Sequence, residues 1–157
     1  MVGDGHTVRT VADVLLDVLP PIEAMLPPGT MGVAGRTQRQ NFIRTERFDA
    51  DVAISPNDTV LLLHDSPGPL RAGSGHRVLP IRPVADVDAA LESLSAARPF
   101  LQCLGVAGFD DLRVFEDLTL AGLNRVCPLG MMQRPPLTWL HDGIGTIRPL
   151  MRWLTLA

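Results

Sequence analysis

The sequence contains no lysine and no tyrosine, and all 14 of its basic residues are arginine. Without lysine, the chain has no side chain for Schiff-base chemistry or for lysine-based phosphate binding. The formal net charge is −3. Nucleic-acid binding proteins concentrate positive charge to neutralise phosphates, so this composition predicts no nucleic-acid partner.

Long apolar runs are also absent. A membrane-spanning helix needs roughly 18 consecutive apolar residues, and the run Leu61–Leu63 is far shorter. The first residues lack the cationic stretch and apolar core of a secretory signal. Only two cysteines occur, Cys103 and Cys127, and both lie within apolar runs. We therefore expect a cytoplasmic protein with reduced thiols in its core.

The residues that are present predict a globular protein. Apolar residues make up 46% of the chain and charged residues 20%, which is outside the range of disordered segments. A length of 157 residues suits one ordinary domain. We predict a single domain with a helical lead-in over residues 1–57, an α/β core over 58–128, and a loop with a C-terminal helix over 129–157.

Two helices are predicted in the lead-in. Apolar residues recur at helical spacing from Thr7 to Met25, and Pro20-Pro21 is expected to end the helix and leave a bent extension. Residues 30–48 predict a mostly exposed helix. Its arginines are interpreted as a solvated face, with binding of anionic CoA as the alternative; they are Arg36, Arg39, Arg44 and Arg47.

The core alternates strand and helix patterns. A turn at Ser55–Asp58 precedes the first predicted strand, and Pro80 places the second at an edge or bulge. Asp86 is a predicted helix cap. The strands are Thr59–His64, Arg77–Arg82, Leu101–Val106 and Asn124–Cys127; the helices begin at Asp86 and Asp110. This order predicts an α/β fold, a βαβαβ unit with a parallel sheet and flanking helices.

Two glycine-rich segments and the histidines are candidate binding sites. Gly73–His76 precedes a strand and is interpreted as a flexible connection, and Gly105–Gly108 as a tight turn before a capped helix. The chain has no Cys-x-x-Cys or His-x-x-x-His spacing. We therefore predict no metal site.

The most distinctive segment is the Pro-rich loop that contains Trp139, His141 and Asp142, followed by Gly143. Surface loops seldom carry a tryptophan unless it packs or binds something. Trp139 either contacts substrate or packs against the end of the sheet while Asp142-Gly143 forms a turn. Packing is the preferred interpretation. A short amphipathic helix is predicted from Ile147 to Leu154.

Five of these segments, in this order, resemble the C-terminal part of the LuxC-type fatty acyl-CoA reductases of the aldehyde dehydrogenase superfamily. The matching segments are Arg77–Val84, the acidic-start helix, Leu101–Val106, Gly122–Gly130 and the loop Trp139–Gly143. The resemblance covers Leu61–Leu154 and is weak before Leu61. It implies the fold of the C-terminal part of an aldehyde dehydrogenase catalytic domain.

The resemblance also implies a reaction. In such reductases an acyl group passes from CoA, or from a partner acyl-transferase, to a cysteine, and NADPH delivers hydride to the thioester and releases an aldehyde. The family's Cys-Ser-type motif lies upstream of the matching region, and no Gly-x-Gly-x-x-Gly follows a strand here. No catalytic residue is therefore assigned, and Cys103 and Cys127 are interpreted as structural thiols.

We thus expect the C-terminal portion of a long-chain acyl-CoA reductase, inactive without a cysteine- and cofactor-bearing half. NADPH is the cofactor of the parent family and is not expected to bind this chain alone. A second polypeptide would then supply the missing half. The alternative is a non-enzymatic assembly or binding module that self-associates. The substrate-loop candidates are Trp139, His141 and Asp142.

Overall fold

The computed structural model describes residues 1–108 and 122–140. The helix predicted at Asp110, the C-terminal helix, and both His141 and Asp142 lie outside the described residues. The chain divides into two compact units, Met1–Ala96 and Ala97–Ala157. Each unit is described by itself, and the prediction of a single domain stays a prediction.

Helix α1 spans Gly5–Met25. Asp4 caps it, since Asp4 Oδ1 accepts a hydrogen bond from the Thr7 backbone N–H at 2.9 Å. In return, the Thr7 hydroxyl oxygen accepts a hydrogen bond from the Asp4 backbone N–H. The expectation that Pro20-Pro21 ends the helix is wrong, because α1 continues through both prolines to Met25. Proline removes a backbone donor and crowds the preceding turn, but packing of α1 against the sheet holds this helix together.

Helix α2 spans Val33–Glu46 and confirms the predicted exposed helix. The chain then enters strand β1, Ala50–Ile54, which lies within the segment predicted as a helical lead-in. Its sequence, Ala-Asp-Val-Ala-Ile, has only a weak alternation of apolar and polar residues. The strand forms because it pairs with its neighbour, and the sequence did not predict a strand in the helical lead-in.

A three-stranded sheet forms the centre of the first unit. Strand β2, Val60–His64, lies between β1 and strand β3, Val78–Ile81. The β1–β2 pair is antiparallel, and the β2–β3 pair is parallel. Between β1 and β2 the predicted turn is present, with the Asp58 N–H donating to the Ser55 carbonyl at 3.1 Å. As expected from Pro80, β3 lies at an edge of the sheet.

Residues before and after β3 also follow the sequence pattern. Gly75, His76 and Arg77 have positive φ angles and lead directly into β3, so the segment is a connection to a strand. Helix α3 spans Val87–Leu94, and a 3₁₀ helix, Ser95–Phe100, follows it. The predicted cap of α3 is confirmed, because the Ala89 N–H donates to Asp86 Oδ1 at 2.8 Å.

The core of the first unit lies between α1 and β2. Val8 and Ala12 are one helical turn apart on α1, and both are almost fully buried. Central strands are covered on both faces, which is why β2 is an unbroken apolar run. The buried apolar residues of this unit are Val8, Ala12, Val60, Leu61, Leu62, Ile81 and Val84.

The second unit contains a two-stranded parallel sheet in its described part. Strand β4, Cys103–Val106, pairs with strand β5, Arg125–Pro128. Gly122 precedes β5 with φ of +82°, and a β-carbon there would meet the Arg98 carbonyl oxygen. This close approach, which only glycine permits, is consistent with a chain reversal ahead of β5.

The α/β class is confirmed, but the predicted arrangement of strands is not. Among the described strands, β2–β3 and β4–β5 are parallel pairs, as expected for crossover connections. They belong to two separate sheets, and β1 adds an antiparallel edge that the βαβαβ pattern did not include. Edge strands complete their hydrogen bonds wherever a partner lies nearby, which sequence order alone does not specify.

Candidate functional site

A buried carboxylate lies where α2 ends. Glu46 is only 2% exposed, and two arginines donate to its oxygens. Arg82 Nη2 lies 2.8 Å from Oε2, and Arg71 Nη1 lies 3.2 Å from Oε1. Charge-assisted hydrogen bonds of this kind offset the cost of removing a carboxylate from water. We call Glu46, Asp49, His64, Arg71 and Arg82 the Glu46 cluster.

His64, the last residue of β2, is fully buried in the Glu46 cluster. Its Nε2 lies 3.1 Å from Glu46 Oε2 and its Nδ1 lies 3.8 Å from Asp49 Oδ1, but neither ring nitrogen has hydrogen-bond geometry. Burial, and then the positive charge of Arg82, lower the pKa of His64, while Asp49 and Glu46 act in the opposite direction. The imidazole is therefore neutral at pH 7.

Three residues of the Glu46 cluster have the donor types of a metal site. Glu46, Asp49 and His64 each bring one ligand atom within 4.8 Å of the others. However, Glu46 already accepts from two arginines, and their positive charges oppose a cation at the same carboxylate. The cluster is better described as a compensated ion network than as a metal centre.

A second buried carboxylate lies on α1. Glu23 is 4% exposed, and its Oε1 accepts hydrogen bonds from the Ser55 hydroxyl at 2.6 Å and from the Thr59 hydroxyl. These hydroxyl groups, Ser55 first, lower the pKa of Glu23. The contact joins the middle of the sequence to α1 and fixes the turn between β1 and β2. We call Glu23, Ser55 and Thr59 the Glu23 site.

The loop after β5 is organised by Arg125. Its guanidinium donates to the carbonyl oxygens of Met131, Met132 and Arg134 at 2.8, 3.0 and 3.2 Å. The same guanidinium lies 5.9 Å from the centre of the Trp139 ring, within the range of a cation–π contact. Trp139 is half-buried, so the loop has a defined conformation around one side chain.

The substrate-loop candidates are thus only partly located. Trp139 lies in the loop that Arg125 organises, whereas His141 and Asp142 lie outside the described residues. The sequence analysis assigned no site role to Arg125, Glu46 or Arg82, although Arg125 is the arginine of the Gly122–Gly130 motif. A charged residue at the end of a predicted strand or helix is ordinarily solvated, and nothing in the sequence marks which of them is buried.

The arginines of α2 do not all form a solvated face. Arg36, Arg44 and Arg47 are exposed. Arg39 is different, because its side chain is 13% exposed and pairs with Asp58 at 3.1 Å. An open groove of about 480 Å³ is lined by Gln40, Ile43, Arg44, Arg47 and Phe48. It offers positive charge and one aromatic ring on the surface of α2.

Both cysteines are free thiols in the β4–β5 sheet. Cys127 is buried, Cys103 is half-buried, and their sulfur atoms are 3.8 Å apart. Burial, followed by the neighbouring Cys127, raises the pKa of Cys103. An activated cysteine nucleophile requires a lowered pKa, so the interpretation of Cys103 as a structural thiol agrees with its surroundings.

Comparison with known proteins identifies the family. The family model described as acyl-CoA reductase (LuxC) matches residues 50–153, about two thirds of the chain. The match begins at β1, eleven residues before Leu61, the residue at which the sequence resemblance begins. No curated protein matches the chain. In the part of the chain that the structure describes, no helix has the length and apolar content needed to cross a bilayer. The chain belongs to the acyl-CoA reductase (LuxC) family.

Proposed function

We propose that this chain is the C-terminal portion of the catalytic domain of a long-chain acyl-CoA reductase. In that reaction NADPH reduces an acyl thioester to an aldehyde through an acyl-cysteine intermediate. The cysteine and the NADPH site would come from polypeptide outside these 157 residues. The single observation that carries the proposal is the family match over residues 50–153.

The chemistry of the described thiols supports the proposal that the nucleophilic cysteine lies outside this chain. Acyl transfer from CoA needs an accessible thiolate with oxyanion donors nearby. Cys127 is buried, and the pKa of Cys103 is raised by burial. Neither thiol suits that role at neutral pH, so a separate nucleophile is required if the chain takes part in reduction.

The loop after β5 is the proposed substrate-side element. Arg125 donates to three carbonyl groups between Met131 and Arg134 and contacts the Trp139 ring, which limits the conformations of this loop. Preorganised loops position substrates at little entropic cost. We propose that Trp139, His141 and Asp142 shape the substrate entrance, and that Trp139 also packs to hold it.

Complementation tests this function. A LuxC-family reductase would be truncated before the segment that matches residue 50, so that it keeps its cysteine and nucleotide-binding half. NADPH oxidation would be followed with a long-chain acyl-CoA. We expect no turnover by this chain alone and acyl-CoA-dependent turnover when the two are mixed. NADPH oxidation by the chain alone, or no turnover by the mixture, would contradict the proposal.

A loop variant sharpens that experiment. Trp139→Leu is expected to reduce the turnover of the mixture, and Leu137→Ala is the matched control because Leu137 is fully exposed in the same loop. Equal losses in the two variants would argue against a substrate-side role for Trp139. Circular dichroism of each variant would establish that the fold is retained.

One observation favours the alternative of an assembly module. The outer face of α1 exposes four apolar side chains at helical spacing, namely Val14, Val18, Ile22 and Met25. Such a stripe is typical of helix–helix contacts. Size-exclusion chromatography with light scattering separates the two functions. A stable homodimer that Val18→Glu converts to a monomer, without any complementation of the truncated reductase, would support the module.

A further inference from the structure

The β4–β5 sheet places two thiols on one of its faces. Cys103 pairs with Arg125, and Gly105 pairs with Cys127. Alternate residues of a strand share a face, so all four of these positions lie on the same side of the sheet. Because Gly105 has no side chain, Cys127 can lean across it, and the two sulfur atoms are 3.8 Å apart.

A third sulfur lies on that face. A β-carbon built on Gly105 would be 2.6 Å from the Met132 sulfur, so the thioether occupies the space above Gly105. Arg125 keeps Met132 in place, since it donates to the Met132 carbonyl at 3.0 Å. Two thiols and one thioether therefore lie on the face of the sheet that includes Gly105.

The distance between the two sulfur atoms suits a bridging ion. Cys103 and Cys127 are diagonal neighbours on adjacent strands of the sheet. Two thiolate sulfurs that bind one ion at about 2.3 Å, the Zn–S distance, are separated by about 3.8–4.0 Å at tetrahedral to trigonal angles, close to the observed 3.8 Å.

We propose that Cys103 and Cys127, with the Met132 thioether as a third ligand, bind a monovalent thiophilic metal ion, for which Cu(I) is the probe. Thiolate and thioether ligands select Cu(I). In the described part of the chain, no group of three His, Cys, Asp or Glu residues includes either cysteine. Zn(II), which requires four such ligands in a structural site, is therefore not favoured. This site goes beyond the proposed function and does not depend on it.

The charge of the metal complex and the access of an ion to the site also agree with the proposal. Binding replaces two thiol protons with one ion: the two S–H bonds break, two thiolate–Cu bonds and one thioether–Cu bond form, and two protons leave to solvent. No electrons are transferred. The bis-thiolate complex carries one negative charge, which Arg125 beside Cys103 compensates. Met132 is 38% exposed, so an ion can enter from its side. Because protons are released, affinity should rise with pH.

Competition against a chromophoric Cu(I) chelator, without oxygen and with the full chain, tests the site. We expect one Cu(I) per chain. Cys103→Ser or Cys127→Ser should weaken binding by more than the roughly 10–100-fold that loss of an outer-shell partner costs. Met132→Leu should weaken it by less, and Met131→Leu, its exposed neighbour, is the matched control. Equal affinity of wild type and the double serine variant would overturn the proposal.

Two further measurements use the unmodified protein, in case a serine variant fails to fold. Bound Cu(I) should protect both cysteines from iodoacetamide, as read by mass spectrometry, and unprotected thiols would overturn the site. Zn(II) should compete poorly, and Zn(II) bound as tightly as Cu(I) would contradict the three-sulfur ligand set.

Discussion

Two buried glutamates in the first unit are stabilised in opposite ways. Glu23 accepts hydrogen bonds from the hydroxyl groups of Ser55 and Thr59, whereas Glu46 faces the positive charges of Arg71 and Arg82. Hydroxyl donors lose little when the carboxylate is protonated, but a buried arginine left without its partner is costly. The Glu46 cluster should therefore be the more sensitive of the two regions to loss of one member.

The largest effect is expected from Arg82→Met. It leaves the buried Glu46 with the more exposed Arg71 as its remaining arginine partner, and breaking a buried ion pair costs about 3–5 kcal/mol of unfolding free energy. Urea unfolding at pH 7 measures this loss. Arg9→Met is the control, because the pairs of Arg9 with Asp51 and Asp65 are more than half exposed and exposed ion pairs contribute little to stability. Similar losses in both variants would remove the distinction between buried and exposed pairs.

A smaller loss is expected when the Glu23 site is dismantled by Ser55→Ala with Thr59→Val. Because the hydroxyl groups lower the pKa of Glu23, its contribution is present above the unfolded pKa of about 4.3. That contribution is lost as pH falls through the folded value. The double variant should have a lower urea midpoint at pH 7, and this difference should shrink as pH falls below about 4. A constant difference would show that the hydroxyl groups act by packing alone.

His64 gives the Glu46 cluster a pH dependence in a different range. Burial and Arg82 lower its pKa, so the unfolded chain takes up the proton first as pH falls through about 6.5. Stability should therefore decline from pH 7 to pH 5, and His64→Gln should flatten that decline. His6→Gln, at an exposed position on α1, is the control. A decline of unchanged slope in His64→Gln would contradict the assignment.

The smallest effect concerns the second unit, where Arg125 donates to neutral carbonyl groups instead of carboxylates. Arg125→Met should cost about 1–2 kcal/mol, since it removes hydrogen bonds that are partly solvated. The loop should then show faster amide hydrogen exchange from Met131 to Arg134. Exchange rates that match those of the unmodified protein would mean that Arg125 does not order the loop.

Local patterns in the sequence predicted most of the regular elements. The apolar run of β2, the edge position of β3 that Pro80 requires, and the Asp86 cap of α3 each depend on neighbours within a few residues. Two predictions failed because the structure there depends on residues that are distant in the sequence. The helix was expected to end at Pro20, and β1 was not expected at all, yet packing and strand pairing decided both.

The candidate site was less predictable than the fold. The loop with Trp139 was evident because tryptophan is unusual among prolines and polar residues. Its organiser, Arg125, was not evident, because the interaction depends on carbonyl groups that any sequence would supply. The Glu46 cluster joins residues up to 36 positions apart, and sequence spacing gives no signal over that distance.

By itself, the sequence determined the α/β class, the Asp86 cap of α3 and the relationship to acyl-CoA reductases. These features depend on local backbone preferences and on the order of motifs. Only the tertiary structure decided which charges are buried and which sulfur atoms meet. Burial of Glu46 and His64, and the contact between Cys103 and Cys127, depend on sheet register and long-range packing. A shift of one residue in strand register moves every side chain of the strand to the opposite face of the sheet, and local sequence does not specify the register.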